Sequence, residues 1–208
     1  MNILVLSPHT DDAELGCGGT ISKLLDDGHN VFVAVFSHCD ESLPNGFKKG
    51  TLKKECIKSL LNMGVPEDNL IFFNYKVRYF NYDRQNILED LVNLKKNISP
   101  ELVFTPSIED YHQDHKTISH ESIRCFKNNC SILCYELIWN NTGFKNQLYY
   151  PLSKKNVNDK IKSLSFYKSQ SHRKYMNSDF IKSLALVRGI QNGIELAEAF
   201  EVIRFKAS

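Results

Sequence analysis

The sequence predicts an α/β fold, a three-layer, Rossmann-like arrangement with a mostly parallel sheet and helices on both faces. Three observations predict it. Short, near-continuous apolar runs recur from the N-terminus; segments with apolar residues at helical spacing lie between them; and glycines stop those segments where the spacing lapses.

The apolar runs fall at residues 3–6, 31–36, 70–73, 102–105 and 132–135. Each is short, rich in β-branched or aromatic residues and apolar at nearly every position, as a strand covered on both faces must be. Between the first and second, Cys17, Ile21, Leu24 and Leu25 share one helical face. Leu52, Cys56 and Leu60 do so before the third, and Ile87, Leu91, Leu94 and Ile98 before the fourth. Gly28 ends the first of these helices and Gly64-Val65-Pro66 the second. Beyond about residue 140 the alternation gives way to helical spacing at 156–168 and 179–191 and a last apolar run at 200–205. No Gly-, Pro- or Ser-rich linker separates this part. Residues 1–208 therefore read as one domain, with the part from about 140 an extension packed on it.

At 208 residues and 42% apolar, the chain can bury one core without disulfides or a structural metal. The 26 basic and 24 acidic residues are scattered, and their net charge of +2 gives no footprint for nucleic acid or for stable membrane association. The longest apolar runs are strand-sized, so no export or membrane-spanning segment is expected. Six cysteines, at 17, 39, 56, 125, 130 and 134, form no CxxC pair and sit mostly in apolar patterns, which reads as buried free thiols in a reducing, cytoplasmic setting. Self-association into a homo-oligomer stays open.

The chemistry lies in two loops. Pro8-His9-Thr10-Asp11-Asp12 follows the first strand, and Glu109-Asp110-Tyr111-His112-Gln113-Asp114-His115 follows the fourth. Packing has no use for an imidazole and paired carboxylates at the end of a buried strand. In an open parallel sheet, ligands bind outside the carboxyl ends of the strands, so both loops reach one place. His9, Asp12 and His115 supply two imidazoles and a carboxylate, a set that suits one Zn²⁺ per chain and equally describes non-haem Fe²⁺ sites. Asp11, beside them and outside that set, is the candidate general base toward water. His112 is placed to donate to a developing oxyanion, with Asp114 holding it protonated and oriented.

Plainer roles compete for some of these residues. Asp11 suits a helix cap. His112 and Asp114 suit the cap of a helix beginning near Lys116, and Glu14 suits a favourable charge at a helix start. Gly16, Gly18 and Gly19 lack GxGxxG spacing and stand beside Asp11, Asp12 and Glu14, which would repel a phosphate; a glycine turn for tight helix packing fits better. His29, His38, His120 and His172 read as surface or helix-face residues, and His172-Arg173 as solvated loop near a substrate at most. Arg78, after the third strand, is a candidate for a substrate hydroxyl or phosphate, or for a surface salt bridge.

Pro8-His9-Thr10-Asp11-Asp12, the following Gly16-Cys17-Gly18-Gly19-Thr20, and His112-Gln113-Asp114-His115 resemble the two signature motifs of the LmbE-like, or PIG-L, family of metal-dependent N-deacetylases. Arg188-Gly189 and Ala197-Glu198-Ala199-Phe200-Glu201 resemble the ending of members that act on sugars. The resemblance implies a Rossmann-like fold and zinc-dependent hydrolysis of an acetamido group on an N-acetylglucosamine-type sugar. Matched residue by residue, His9, Asp12 and His115 hold the metal, Asp11 is the base, and His112 with Asp114 stabilises the tetrahedral intermediate. Thr10 stands where the family has proline, Ala13-Glu14 where many members have Glu directly after the two Asp, and Leu52 where many place Arg. The reading is an N-deacetylase acting on an N-acetylated sugar or sugar conjugate. A non-catalytic nucleotide-sugar binding module on the same fold is the alternative, and an Fe²⁺ oxygenase is disfavoured by the alternating strands and helices.

Overall fold

A computed structural model describes residues 1–206. Seven strands form one sheet among these residues: β1 (Asn2–Ser7), β2 (Asn30–Val35), β3 (Leu70–Phe72), β4 (Leu102–Pro106), β5 (Ser131–Tyr135), β6 (Leu148–Pro151) and β7 (Ala197–Arg204). Their order is β3-β2-β1-β4-β5-β7-β6. The first five run parallel, whereas β7 is antiparallel to both β5 and β6.

Alternation along each strand decides which layer a residue joins. In β1, Ile3 and Val5 point to the side covered by α1 (Asp12–Asp26), α2 (Thr51–Met63), α5 (Lys154–Leu164) and α6 (Ser178–Gln191). Leu4 and Leu6 point to the side covered by α3 (Arg84–Ile98) and α4 (Gln113–Phe126). Every residue from Ile3 to Leu6 is fully buried. Gly28 and Gly64 both take the left-handed conformation that ends α1 and α2.

The C-terminal part departs from its sequence reading in three ways. β6 has no counterpart in the apolar runs: it is a four-residue edge strand, partly exposed and closed by Pro151, which an edge tolerates. β7 begins at Ala197 and ends at Arg204, leaving Phe205 exposed. α5 ends at Leu164 instead of running to 168.

The order of strands positions the site. From β1 the chain moves outward through β2 to β3, then returns to lay β4 on the other flank of β1. The loops after β1 and β4 therefore diverge over a crevice at the switch point, where open parallel sheets bind ligands.

Candidate active site

The first loop is closed by its own polar groups. Ser7 Oγ donates to the His9 carbonyl at 2.6 Å and accepts the Ala13 N–H at 3.0 Å, while the His9 N–H donates to Asp12 Oδ2 at 2.8 Å. Tyr167, from the C-terminal part, donates its hydroxyl to the Thr10 carbonyl. Thr10 thus sits in a loop tied from both sides, and the proline usual at this place is dispensable. In the second loop, Ser107 Oγ donates to Glu201 on β7 at 2.6 Å, and Asp110 Oδ1 accepts the His112 N–H at 2.8 Å. α4 begins at Gln113, three residues before the expected start, with His112 as its N-cap: His112 Nδ1 accepts the Asp114 N–H at 3.2 Å.

The two loops bring His9, His112 and His115 together, with one nitrogen of each within 4.8 Å of the others. A tighter triangle includes Asp12. His9 Nδ1 and His115 Nε2 are 3.0 Å apart, and each lies 3.2 Å from Asp12 Oδ2. Metal–ligand bonds of about 2.1 Å at angles between octahedral and tetrahedral place ligand atoms about 3.0 to 3.4 Å apart, so these three atoms fit around one divalent ion. The outer ring nitrogens complete the case. His9 Nε2 faces Asp114 Oδ2 at 3.0 Å and His115 Nδ1 faces Asp110 Oδ2 at 2.6 Å. Each carboxylate takes the outer N–H and leaves the inner nitrogen with a lone pair aimed at the common point.

Electrostatics point the same way. Burial alone would lower both imidazoles, but Asp12 with Asp114 raises His9, and Asp12 with Asp110 raises His115 to about 10. Both shifts have one cause, carboxylates that favour positive charge at the 3.0 Å contact of the two rings, which is the field that would also favour a cation there. Burial pushes the Asp12 carboxyl up, yet His115 and His9 outweigh it and hold it well below the usual carboxylate range. Asp110 was the residue overlooked by motif reading, because its partner His115 stands five positions on, outside any ligand spacing.

Asp11 caps nothing. It occupies the N-cap position of α1 but makes no side-chain cap hydrogen bond, and its carboxylate lines the cleft beside the triangle. Burial and the adjacent Asp12 raise it to about 6. The expected partnership of Asp114 with His112 needs correcting. The Asp114 carboxylate accepts from His9 and from the backbone N–H groups of Arg78 (2.6 Å) and Phe80 (3.3 Å). Burial and the neighbouring His115 and His9 lower His112 to about 4. His112 is therefore a neutral ring whose Nδ1 accepts a backbone N–H, which leaves Nε2 as the protonated, donating nitrogen.

Glu14 is not an exposed charge at a helix start. It is fully buried, with Ser59 Oγ donating to Oε1 at 2.6 Å and Tyr167 Oη 2.7 Å from the same oxygen. The Tyr167 hydroxyl faces two acceptors, the Thr10 carbonyl and Glu14 Oε1, and burial outweighs the bonds from Ser59 and Tyr167 and raises the Glu14 carboxyl to about 7. The three glycines lie inside α1 instead of a turn, and they serve packing: a Cβ on Gly16 would stand 2.2 Å from the Tyr135 ring. α1 kinks at Cys17. There Glu198 on β7 accepts the N–H groups of Gly19 and Thr20 at 3.0 and 2.7 Å, and Lys160 Nζ donates to the Leu15 carbonyl at 2.7 Å.

Arg78 reaches the cleft, in the left-handed conformation at φ 72°, which costs a side-chain-bearing residue about 1–2 kcal/mol. The cleft is about 250 Å³. Its outer wall comes from the C-terminal part: Trp139 and Tyr175 stack at 4.0 Å, with Gln170 and Arg173 beside them. Leu52 presents an apolar side chain to the same space. Arg173 lines the cleft, but His172 does not, nor do His29, His38 and His120.

Comparison with known proteins agrees with the site. Residues 4–126 match the family model described as PIG-L, GlcNAc-PI de-N-acetylase. The uncharacterized deacetylase YaiS of Escherichia coli K12 is 24% identical over 170 residues, covering 80% of this chain and 90% of YaiS. The N,N'-diacetylchitobiose deacetylase of Pyrococcus horikoshii superposes with a TM-score of 0.80 at 21% identity, over 97% of this chain and 83% of that one. GalB, the 4-carboxy-2-hydroxymuconate hydratase of Pseudomonas putida KT2440, superposes with a TM-score of 0.78 at 16% identity, over 100% of this chain and 98% of that one. The fold alone thus houses more than one reaction, and it is the family match over both signature loops that decides: the chain belongs to the PIG-L family of de-N-acetylases.

Proposed function

We propose that this chain, acting as one domain, hydrolyses the acetamide of an N-acetylated amino sugar or sugar conjugate with the help of one Zn²⁺ held by His9, Asp12 and His115, yielding acetate and a free amine. The observation that carries the reading is the triangle of His9 Nδ1, Asp12 Oδ2 and His115 Nε2, with Asp11 uncommitted beside it. A binding module for nucleotide sugars has no use for that fourth group.

When bound, the metal supplies Lewis acidity toward water and the acetyl carbonyl. Asp11 then takes a proton from the attacking water, a task for which a carboxylate raised to about 6 is matched near neutral pH. His112 Nε2–H donates to the oxygen on which negative charge develops. Asp110 and Asp114 hold the two ligand rings in the tautomers that expose lone pairs inward. Asp11 finally returns its proton to the departing nitrogen, so the amine leaves neutral. The six cysteines are buried and unpaired, and no helix among the described residues is long and apolar enough to cross a membrane; both suit work in the cytoplasm.

The test is metal content together with acetate release. Purified protein is expected to hold about one divalent ion per chain, to release acetate from N-acetylglucosamine derivatives, and to lose that activity on chelation and regain it with Zn²⁺. Full activity in metal-free protein would overturn the proposal.

A further inference from the structure

We infer that the acetylated substrate also carries an acidic group, a phosphate or a carboxylate, which Arg78 and Arg173 bind together; this rests on the deacetylase reading above. The two arginines come from distant parts of the chain, the segment after β3 and the segment before α6, yet both line the cleft that holds His9 and His115. Three of the other four arginines are paired with carboxylates, Arg84 and Arg124 with Glu121 and Arg188 with Glu136, and the fourth, Arg204, lies at the end of β7, away from the cleft. The two in the cleft are in no ion pair among the described residues, and their side-chain hydrogen bonds go to neutral partners. An Arg78 Nη donates to Ser42 Oγ at 3.0 Å, and Arg173 Nε lies 3.4 Å from Gln170 Oε1. Each guanidinium thus spends one donor and keeps the rest of its fork unpaired at the cleft wall, a donor set that suits a phosphate or carboxylate.

The placement of Arg78 is enforced. Its backbone is in a conformation glycine would adopt freely, and its N–H is held at 2.6 Å by Asp114, the same carboxylate that orients His9. The cation is thereby registered to the metal-binding loop. Charge balance favours the same ligand. The carboxylates that line the cleft, Asp11 and Asp12, would balance a divalent ion, while Asp110 and Asp114 stand behind the imidazoles and outside the lining. The two arginines are left to set the sign of the field that a substrate meets.

The experiment compares acetate release by the zinc-loaded full chain from N-acetylglucosamine, its 1-phosphate, its uridine-diphosphate conjugate and N-acetylmuramic acid. Expected is a kcat/KM at least about tenfold higher for one acidic class than for the neutral sugar, the size of a charge-assisted contact. The phosphate and carboxylate arms tell which acid is read. In R78Q/R173Q the acidic-to-neutral ratio should fall toward one, and in wild type it should shrink as salt screens the exposed cations. Equal or better turnover of the neutral sugar, or a ratio unchanged in the double variant, overturns the inference. If no sugar releases acetate, the deacetylase reading fails separately. Calorimetry of the same sugars then reads the anion site: discrimination lost in R78Q/R173Q supports it, and equal binding by both proteins overturns it.

Discussion

Replacing Asp110 with Asn changes one oxygen to an amide nitrogen at the place where His115 is oriented. Asp110 is 1% exposed and accepts on both oxygens, from the His112 N–H at 2.8 Å and toward His115 Nδ1 at 2.6 Å. In Asp110→Asn the amide oxygen can serve only one of them. If it keeps the His112 N–H, the amide donates to His115 Nδ1, and the imidazole must carry its proton on Nε2, the nitrogen needed for the metal. If it turns, the His112 N–H loses its acceptor at the start of α4. Loss of such an orienting carboxylate weakens metal binding about 10- to 100-fold, or about 1.4–2.7 kcal/mol. Competition for Zn²⁺ against a chromophoric chelator reads the affinity, and kcat/KM at saturating Zn²⁺ separates metal holding from chemistry. An affinity within twofold of wild type would refute the assignment of Asp110 as the group that orients His115.

Three further outcomes follow from other groups. Activity should fall on the acid side as Asp11 protonates, with the midpoint of a kcat/KM–pH profile at or below about 6, because a bound cation pulls a carboxyl raised to about 6 downward; a midpoint above 7 would contradict the role of Asp11. Glu14 is raised from 4.5 to about 7, so its contribution to stability is fully present below pH 4.5 and is lost as pH rises through 7, by up to about 3 kcal/mol; urea denaturation of metal-saturated Glu14→Gln should therefore compare more favourably with wild type at pH 8 than at pH 4.5. Glu198→Ala leaves Lys160 buried without its carboxylate and two N–H groups at the kink of α1 without acceptors, for a loss of about 3–5 kcal/mol in the same measurement.

The sheet and its two chemical loops were legible because both are local. β1 reveals itself by four consecutive apolar residues, and His9, Asp11 and Asp12 by their misfit at its end. What stayed hidden depends on contacts across the chain. Glu14 sits at a helix start, where charge is ordinarily solvated, and only the approach of Tyr167 and Ser59 makes its site a buried one. Asp114 lies two residues from His112, yet helix geometry turns its carboxylate toward His9 and the segment at Arg78. β6 carries too few residues, and too mixed a burial, to show a period. The cleft wall of Trp139, Tyr175 and Arg173 is assembled from segments with no regular spacing, so composition could not foretell it.

The division of labour between Asp12, which holds the metal, and Asp11, which moves the proton, is tested most directly by one variant. Asp11→Asn, measured for zinc content and for acetate release from an acetylated sugar that wild type hydrolyses, is predicted to retain about one ion per chain and to lose turnover by about 10²–10⁴-fold. A variant that keeps wild-type turnover, or one that loses its zinc, would contradict that division.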